Sequence, residues 1–325
     1  MHSKALKLSD AIVAAGGDRY ENNVIALYEF KRGTGNIAYD TSGVSPALDL
    51  SLSGNNGDVT WIRGYGLQFK GIGRAQGGVG DSQKLYDMIK DIGEYSLEAW
   101  VTPANVTQEG PAHIVSYMAD TNNRNFTLGQ ALYEYTYHNR TTATLGDGGP
   151  PSMTANETLQ AALQHVVVTV DPVNGKQIFV NGNPVLQDAT NTGNLSNWSA
   201  GNGFAFVLGN TPGRTDPWAG QIRLVAIHNR ALNQTQIQQN FDVGVGAKFL
   251  MLFSVKEHTC PGNTDPNQCS DFVMFEVSEF DNYSYLFRNP VFIRLSNDPL
   301  AADVRIRGMR IGMNGKEVPC LLYTS

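Results

Sequence analysis

The stretch from Leu163 to Gly182, LQHVVVTVDPVNGKQIFVNG, reads as two β-strands joined by a short turn. In the first strand Val166, Val168 and Val170 share one face, while His165, Val167 and Thr169 share the other. β-Branched residues dominate both faces, so the strand is expected to be covered on both sides. The turn DPVNG supplies an Asn-Gly pair, and the returning strand QIFVNG closes on a second one. Asn-Gly accepts positive φ and suits a tight hairpin, so the stretch predicts a meander inside a layered β-protein.

Working outward, strand signals recur at NVIALYEF (23–30), ALDLSLSG, VTWIRGYGLQFKG, YSLEAWVTP, HIVSYMAD and NFTLGQALYEYTYHN. Short strands separated by Gly, Asn and Pro predict a sandwich or barrel. The segment DSQKLYDMIKDIG predicts a helix, with Asp81 or Ser82 as N-cap and Gly93 as stop, and ALNQTQIQQNF a second, shorter one.

The order YDTSG (39–43), YSLEAWV (95–101), the central hairpin, FAFVLGN (204–210) and GQIRLVAIHNRALNQTQIQQNF (220–241) resembles bacterial LamG-like domains of the concanavalin A-like lectin/glucanase superfamily. The resemblance implies an all-β fold, a jelly-roll sandwich of two antiparallel sheets. It implies no activity by itself, because this architecture hosts lectins, adhesion modules and hydrolases alike. The expected organisation is a linker or short helix over 1–23, the jelly roll over 24–247, a smaller β-rich unit over 248–319 and a tail of non-native appearance over 320–325.

The chain has 325 residues and a net charge of -6, with no basic stripe, which argues against nucleic acid as partner. No apolar run approaches the roughly 20 residues of a membrane-spanning helix. The opening MHSKALKLSDAIVAAGG lacks the hydrophobic region of a secretory signal, and its true start is read as missing. The resemblance places the protein outside the cytoplasm, exported to the periplasm or cell surface. Eight Asn-x-Ser/Thr sequons are read as solvent-facing polar residues of an Asn-rich chain.

Chemistry is sparse in the sequence. A glycosidase needs two carboxylates about 5 to 9 Å apart. The alternating Glu-Asp-Glu hydrolase signature of the superfamily is absent, and Glu276 and Glu279 are spaced to face opposite sides of a strand. Glu98 is expected to be a buried structural carboxylate paired with an arginine or a backbone donor. There is no G-x-S-x-G, no phosphate-loop ending and no H-E-x-x-H. Jelly rolls of this kind can carry calcium, for which Asp40 is the candidate ligand. Relatives have an aspartate at the position held here by Arg223, which weakens that reading, and a turn-capping role for Asp40 is the alternative.

For a ligand, LYEYTYHNR (132–140) offers Tyr133, Tyr135 and Tyr137 on one face if the stretch is a single strand. Exposed, this ladder would bind a polysaccharide, with Arg140, Trp198, Arg214, Asp216 and Trp218 at its rim; alternatively it packs between the sheets. Two function classes remain: a non-catalytic recognition module meeting carbohydrate, and a structural domain docking on other domains of a larger protein.

Cys260 and Cys269 flank PGNTDPNQ and are expected to form a local disulfide; a zinc site with His258 would lack a fourth ligand. Closing that loop contributes about 2 to 3 kcal/mol in the chain-entropy picture. Thiol titration of unreduced, denatured protein should find only Cys320 reactive, and two further thiols would reject the disulfide.

Overall fold

A computed structural model describes residues 19–62, 65–190 and 192–245, with strand segments at 248–256, 270–278, 305–307, 310–311 and 317–318. The chain divides into two compact units, 1–246 and 247–325. In chain order the first unit holds β1 (Val24–Tyr28), β2 (Ile37–Ala38), β3 (Leu50–Ser53), β4 (Val59–Trp61), β5 (Leu67–Phe69) and β6 (Arg74–Gly77). Helix α1 (Val79–Ile89) follows, then β7 (Tyr95–Pro103), β8 (Ala112–Asp120), β9 (Asn123–Ala131), β10 (Glu134–Asn139) and β11 (Ser152–Met153). The central meander supplies β12 (Gln164–Asp171), β13 (Gly175–Val180) and β14 (Asn183–Asp188), before β15 (Ala205–Leu208), β16 (Gly220–His228) and helix α2 (Gln234–Val243).

These strands form two eight-stranded antiparallel sheets, a jelly-roll sandwich. Sheet A runs β14-β13-β12-β7-β16-β5-β4 with β1 added on β16, and sheet B runs β11-β10-β9-β8-β15-β6-β3-β2. The meander turns as its residues dictate. Asp171 Oδ1 accepts from the amides of Val173 and Asn174 in the first turn, and Asn181 and Gly182 both take positive φ in the second. Val166, Val168 and Val170 point into the core between the sheets, with Leu97, Ala99, Ile178 and Val225. Removing such side chains from water contributes about 1.5 to 3 kcal/mol each.

The opposite face of sheet A is covered as well. Val167 and Phe179 pack on Leu232 and Ile237, and Trp100 and Leu224 pack on Phe241. Helix α2 is held there by a reciprocal cap: Gln236 N donates to Asn233 Oδ1 at 3.0 Å and Asn233 N to Gln236 Oε1 at 2.9 Å. Helix α1 begins before the expected cap. Gly78 is its N-cap, Asp81 lies in the first turn, and buried Ser82 accepts instead from Phe206 N at 3.0 Å.

Beneath α2 lies Glu98, fully buried on β7. Arg19 grips it with two hydrogen bonds of 2.6 Å, Asn240 Nδ2 donates to it at 2.8 Å, and His165 Nε2 lies 2.9 Å away. His228 Nε2 stands at 3.6 Å. Arg19 and Tyr20 therefore belong to the sandwich, although the sequence reading placed them in a linker; Tyr20 N donates to Asn240 Oδ1 at 2.7 Å.

In the second unit Lys248–Lys256 pairs antiparallel with Ser270–Ser278 and with Arg305–Arg307, and Arg310–Ile311 pairs with Glu317–Val318. Cys260, Cys269 and Cys320 lie outside the described residues.

Burial alone would push the Glu98 carboxyl up, but the Arg19 charge and the His165 contact outweigh it and hold the group well below its ordinary value of 4.5. A depressed carboxyl contributes stability that is complete above the unfolded value and is lost as pH falls toward the folded one. The acid limb of the stability curve should therefore begin below about pH 4.5. Glu98→Gln strands a buried guanidinium and should cost about 3 to 5 kcal/mol while flattening that limb. All four tryptophans, Trp61, Trp100, Trp198 and Trp218, lie in the first unit, so denaturation followed by tryptophan fluorescence reads this directly.

Candidate functional site: the outer face of sheet B

The tyrosine ladder is not a ligand platform. The stretch 132–140 is not one strand, because β9 and β10 form a hairpin whose turn is Leu132–Tyr133, with Leu132 at φ 53. Tyr133 is therefore exposed in the turn, while Tyr135 and Tyr137 are completely buried between the sheets. Tyr135 donates to Gln164 Oε1 at 2.8 Å. Tyr137 donates to Tyr95 Oη at 2.6 Å, and Tyr95 in turn donates to Asn139 Oδ1 at 2.6 Å. Burial raises the pKa of both phenols.

Two of the expected rim residues are core residues too. Trp198 donates to Arg140 O at 2.8 Å and packs edge-on against Tyr95, with ring centroids 5.2 Å apart. Trp218 donates to Gln130 Oε1 at 2.9 Å with its ring over Gly220, where an added Cβ would come within 2.3 Å of the indole. Arg140 lies beside Ser199 Oγ at 3.2 Å.

Asp40 does not fit a calcium ligand. Its Oδ1 accepts from Leu27 N and Ser42 N, and its Oδ2 accepts from Leu48 N and from Lys84 Nζ at 2.8 Å. Four donors occupy the carboxylate, and the buried ammonium of Lys84 stands where a cation would. Arg223 is likewise buried.

The polar constellation of the molecule lies on the outer face of sheet B. Phe126 and Leu128 of β9 enter the core, so Thr127 and Gly129 face outward. Register places Gln76 beside Val207, Val207 beside Ser116, Ser116 beside Thr127 and Thr127 beside His138. Thr127 Oγ1 and His138 Nδ1 are 3.2 Å apart. The ring of His113 lies over Gly129, whose missing side chain leaves it room: a Cβ there would come 3.6 Å from the ring and 2.9 Å from Thr136 Oγ1.

Two loops roof this row. Gly148 crosses His138, and Arg124 N donates to Gly146 O at 2.9 Å. The loop 209–218 is tied down by Ser116 Oγ to Asn210 O at 2.9 Å, His113 N to Asp216 O at 3.1 Å, and Arg74 Nη1 to the carbonyls of Thr211 and Pro212. Arg214 and Asp216, both named from sequence, sit in this loop and are brought to the site; Trp218 closes the loop, but its ring, like that of Trp198, is buried in the core.

Burial is the first cause that lowers His113 to about 4; Arg124 adds to the shift and Asp216 opposes it. Burial, then Arg124 and His113, take His138 to about 3. Both imidazoles are neutral at pH 7, so with Ser116, Thr127 and Gln76 they offer donors and acceptors without net charge. Among the described residues no group of three or more His, Cys, Asp or Glu is placed to hold a metal. Arg74, Gln76, His113, Ser116, Arg124, Thr127 and His138 were not singled out from sequence. The alternation NFTLG and TYHN carried the signal, since polar residues fall between core residues there.

Residues 77–238 match the family model Laminin_G_3, described as concanavalin A-like lectin/glucanases superfamily. The sandwich belongs to that superfamily. No curated protein sequence matches the chain. Among solved structures, this concanavalin A-like chain is similar to Trypanosoma rangeli sialidase at 16% identity and a TM-score of 0.50, over 67% of this chain and 32% of the sialidase. It is similar to the receptor binding domain of botulinum neurotoxin C/D mosaic serotype at 13% identity and a TM-score of 0.50, over 73% of this chain and 58% of that one. The matched region is thus about a third of the sialidase and under two thirds of the toxin domain, and the likeness is one of fold.

Because Tyr135 is core, Tyr135→Ala should cost about 3 to 5 kcal/mol by cavity formation. Tyr135→Phe should cost only about 1 kcal/mol, since Gln164 Oε1 keeps its bond from Gln160 N. Thermal unfolding of the two variants checks both values; a stable Tyr135→Ala protein would return the ladder to the surface.

Proposed function

We propose that the first unit is a non-catalytic carbohydrate-recognition module of an exported protein, and that it reads its ligand on the outer face of sheet B. The observation that carries this reading is the asymmetry of the two outer faces. That of sheet A is apolar and sealed by α2 around Glu98. That of sheet B carries hydroxyls, amides and neutral imidazoles: Ser116, Thr127 and His113 are buried beneath the roofing loops, Gln76 and His138 are half-buried, and Ser51 on β3 and Met153 on β11 are exposed at its ends. Hydroxyl-rich ligands are matched by such mixed donor and acceptor groups.

A non-catalytic role is supported by the missing hydrolase signature and by the state of Glu98, whose oxygens are taken by Arg19, Asn240 and His165. A second reading, docking on other domains of a larger protein, is favoured by Leu132 and Tyr133, which are 43% and 40% exposed at the tip of the β9-β10 hairpin. No helix among the described residues is long and apolar enough to cross a membrane.

The test is a glycan array probed with the full chain, followed by Gln76→Ala and His138→Gln. Binding of at least one glycan class is expected, weakened about tenfold or more by either change, the equivalent of about 1.4 kcal/mol. No glycan bound by folded protein would reject the reading in favour of docking. Undiminished binding by both variants would move the ligand off this face.

A further inference from the structure

We propose that Arg74 and Arg214 form an anion subsite at the edge of this face, and that the sugar recognised there is acidic, carrying a carboxylate or sulfate. The inference rests on the carbohydrate reading above and deepens it.

Among the described residues neither arginine meets a carboxylate within 4.0 Å, although Arg19, Lys31, Lys84, Lys176 and Arg230 all do. Arg74 is partly buried on β6, and its Nη1 is spent on the carbonyls of Thr211 and Pro212, which leaves its charge uncompensated. Burial lowers its pKa, and the nearby Arg214 charge lowers it further. Two like charges on a partly desolvated loop are unfavourable unless something negative joins them.

The backbone holds the second arginine in place against its own preference. Arg214 has φ 61, uncommon for a residue with a side chain, and is fastened by its amide to Thr211 O at 3.0 Å. Strain of this kind persists where surrounding structure imposes it, and it gathers at ligand sites. Thr211 Oγ1 stiffens the loop by accepting from Thr215 N at 3.1 Å.

Unmet hydrogen-bonding capacity is present at the same place. Arg74 Nε, Gln76 Oε1, His113 Nδ1 and Asn210 Nδ2 are buried polar atoms without a partner; Arg74 and His113 bond the loop 209–218, Asn210 lies in it, and Gln76 pairs with Val207 just before it. Asn210 is fully buried, and its Oδ1 already accepts from Thr211 N and Asp216 N, so its amide nitrogen is the free end. Such groups are rarely left unmet unless a bound molecule or water satisfies them. The one carboxylate in the loop, Asp216, accepts from the Thr215 hydroxyl at 2.8 Å and faces His113 and Arg124 rather than Arg74. Guanidinium groups bind carboxylate and sulfate oxygens through paired, charge-assisted hydrogen bonds, and a neutral sugar lacks the compensating charge.

Calorimetric titration of the full chain with oligogalacturonate, a chondroitin sulfate oligosaccharide and maltohexaose tests the subsite, with sodium sulfate as a free-ion probe in thermal melts. Arg214→Asn keeps a residue that tolerates positive φ, and Arg74→Gln keeps donors toward the loop carbonyls. An acidic oligosaccharide should bind at least tenfold more tightly than maltohexaose, and Arg214→Asn should remove that preference; sulfate should raise the melting temperature of the parent but not of the variant. If maltohexaose binds as well as the acidic sugars and neither variant changes this, the subsite is overturned while carbohydrate recognition stands. If no sugar binds but sulfate stabilisation depends on Arg214, the anion site stands and the carbohydrate reading falls. If neither sugar nor sulfate binds, both are rejected.

Discussion

A single carboxylate, Glu98, sets the terms for one side of this molecule. It sits on a central strand of sheet A, turned away from the core, with no exposed surface. An unpaired charge there would be prohibitive, so the chain must bring donors to it. It does so from three directions, Arg19 before the first strand, His165 on β12 and Asn240 on α2, with His228 at the end of β16 standing 3.6 Å away. Meeting that demand closes helix α2 and residues 19 and 20 over the sheet. Trp100, His165 and Phe241 stack in the space that remains.

The consequence is a division of labour between two chemically unlike faces. Sheet A buries both of its sides, so its strands read as nearly continuous apolar runs, YSLEAWV and HVVVTV, interrupted by the groups that serve Glu98. The central strands of sheet B, β8, β9 and β15, are buried on both faces too, but there the outward residues are polar and lie under loops. The aromatic core, with Tyr95, Tyr117, Phe126, Tyr137 and Trp198 in mutual contact, takes the tyrosines away from solvent and leaves hydroxyls, amides and imidazoles outside. The recognition proposed for this face rests on hydrogen bonding and charge more than on aromatic stacking.

Two questions that the sequence leaves open, ladder or core for the tyrosines and ion or cap for Asp40, turn on contacts in the folded chain. The hairpin at Leu132–Tyr133 carries no Gly, Asn or Pro, so nothing local separates β9 from β10, and the tyrosine register was carried across a turn. Asp40 was correctly placed in a turn that it caps through Ser42 N. Its neighbour Lys84, however, comes from α1, 44 residues away, and that ion pair answers the metal question.

What the sequence determined by itself was everything governed by neighbours along the chain. The period of two in HVVVTV, the Asn-Gly turn at 181–182 and the ordered motif series suffice for an all-β sandwich of this superfamily, because backbone preference and side-chain alternation act over a few residues. The chemical content of each face was decided only by tertiary structure. Glu98 meets partners 67, 79 and 142 residues away. Arg74 meets the carbonyl of Thr211 from 137 residues away, and Ser116 meets Asn210 from 94. Pairing across such separations is set by sheet order and register, which no local pattern encodes, and burial and charge follow from that pairing.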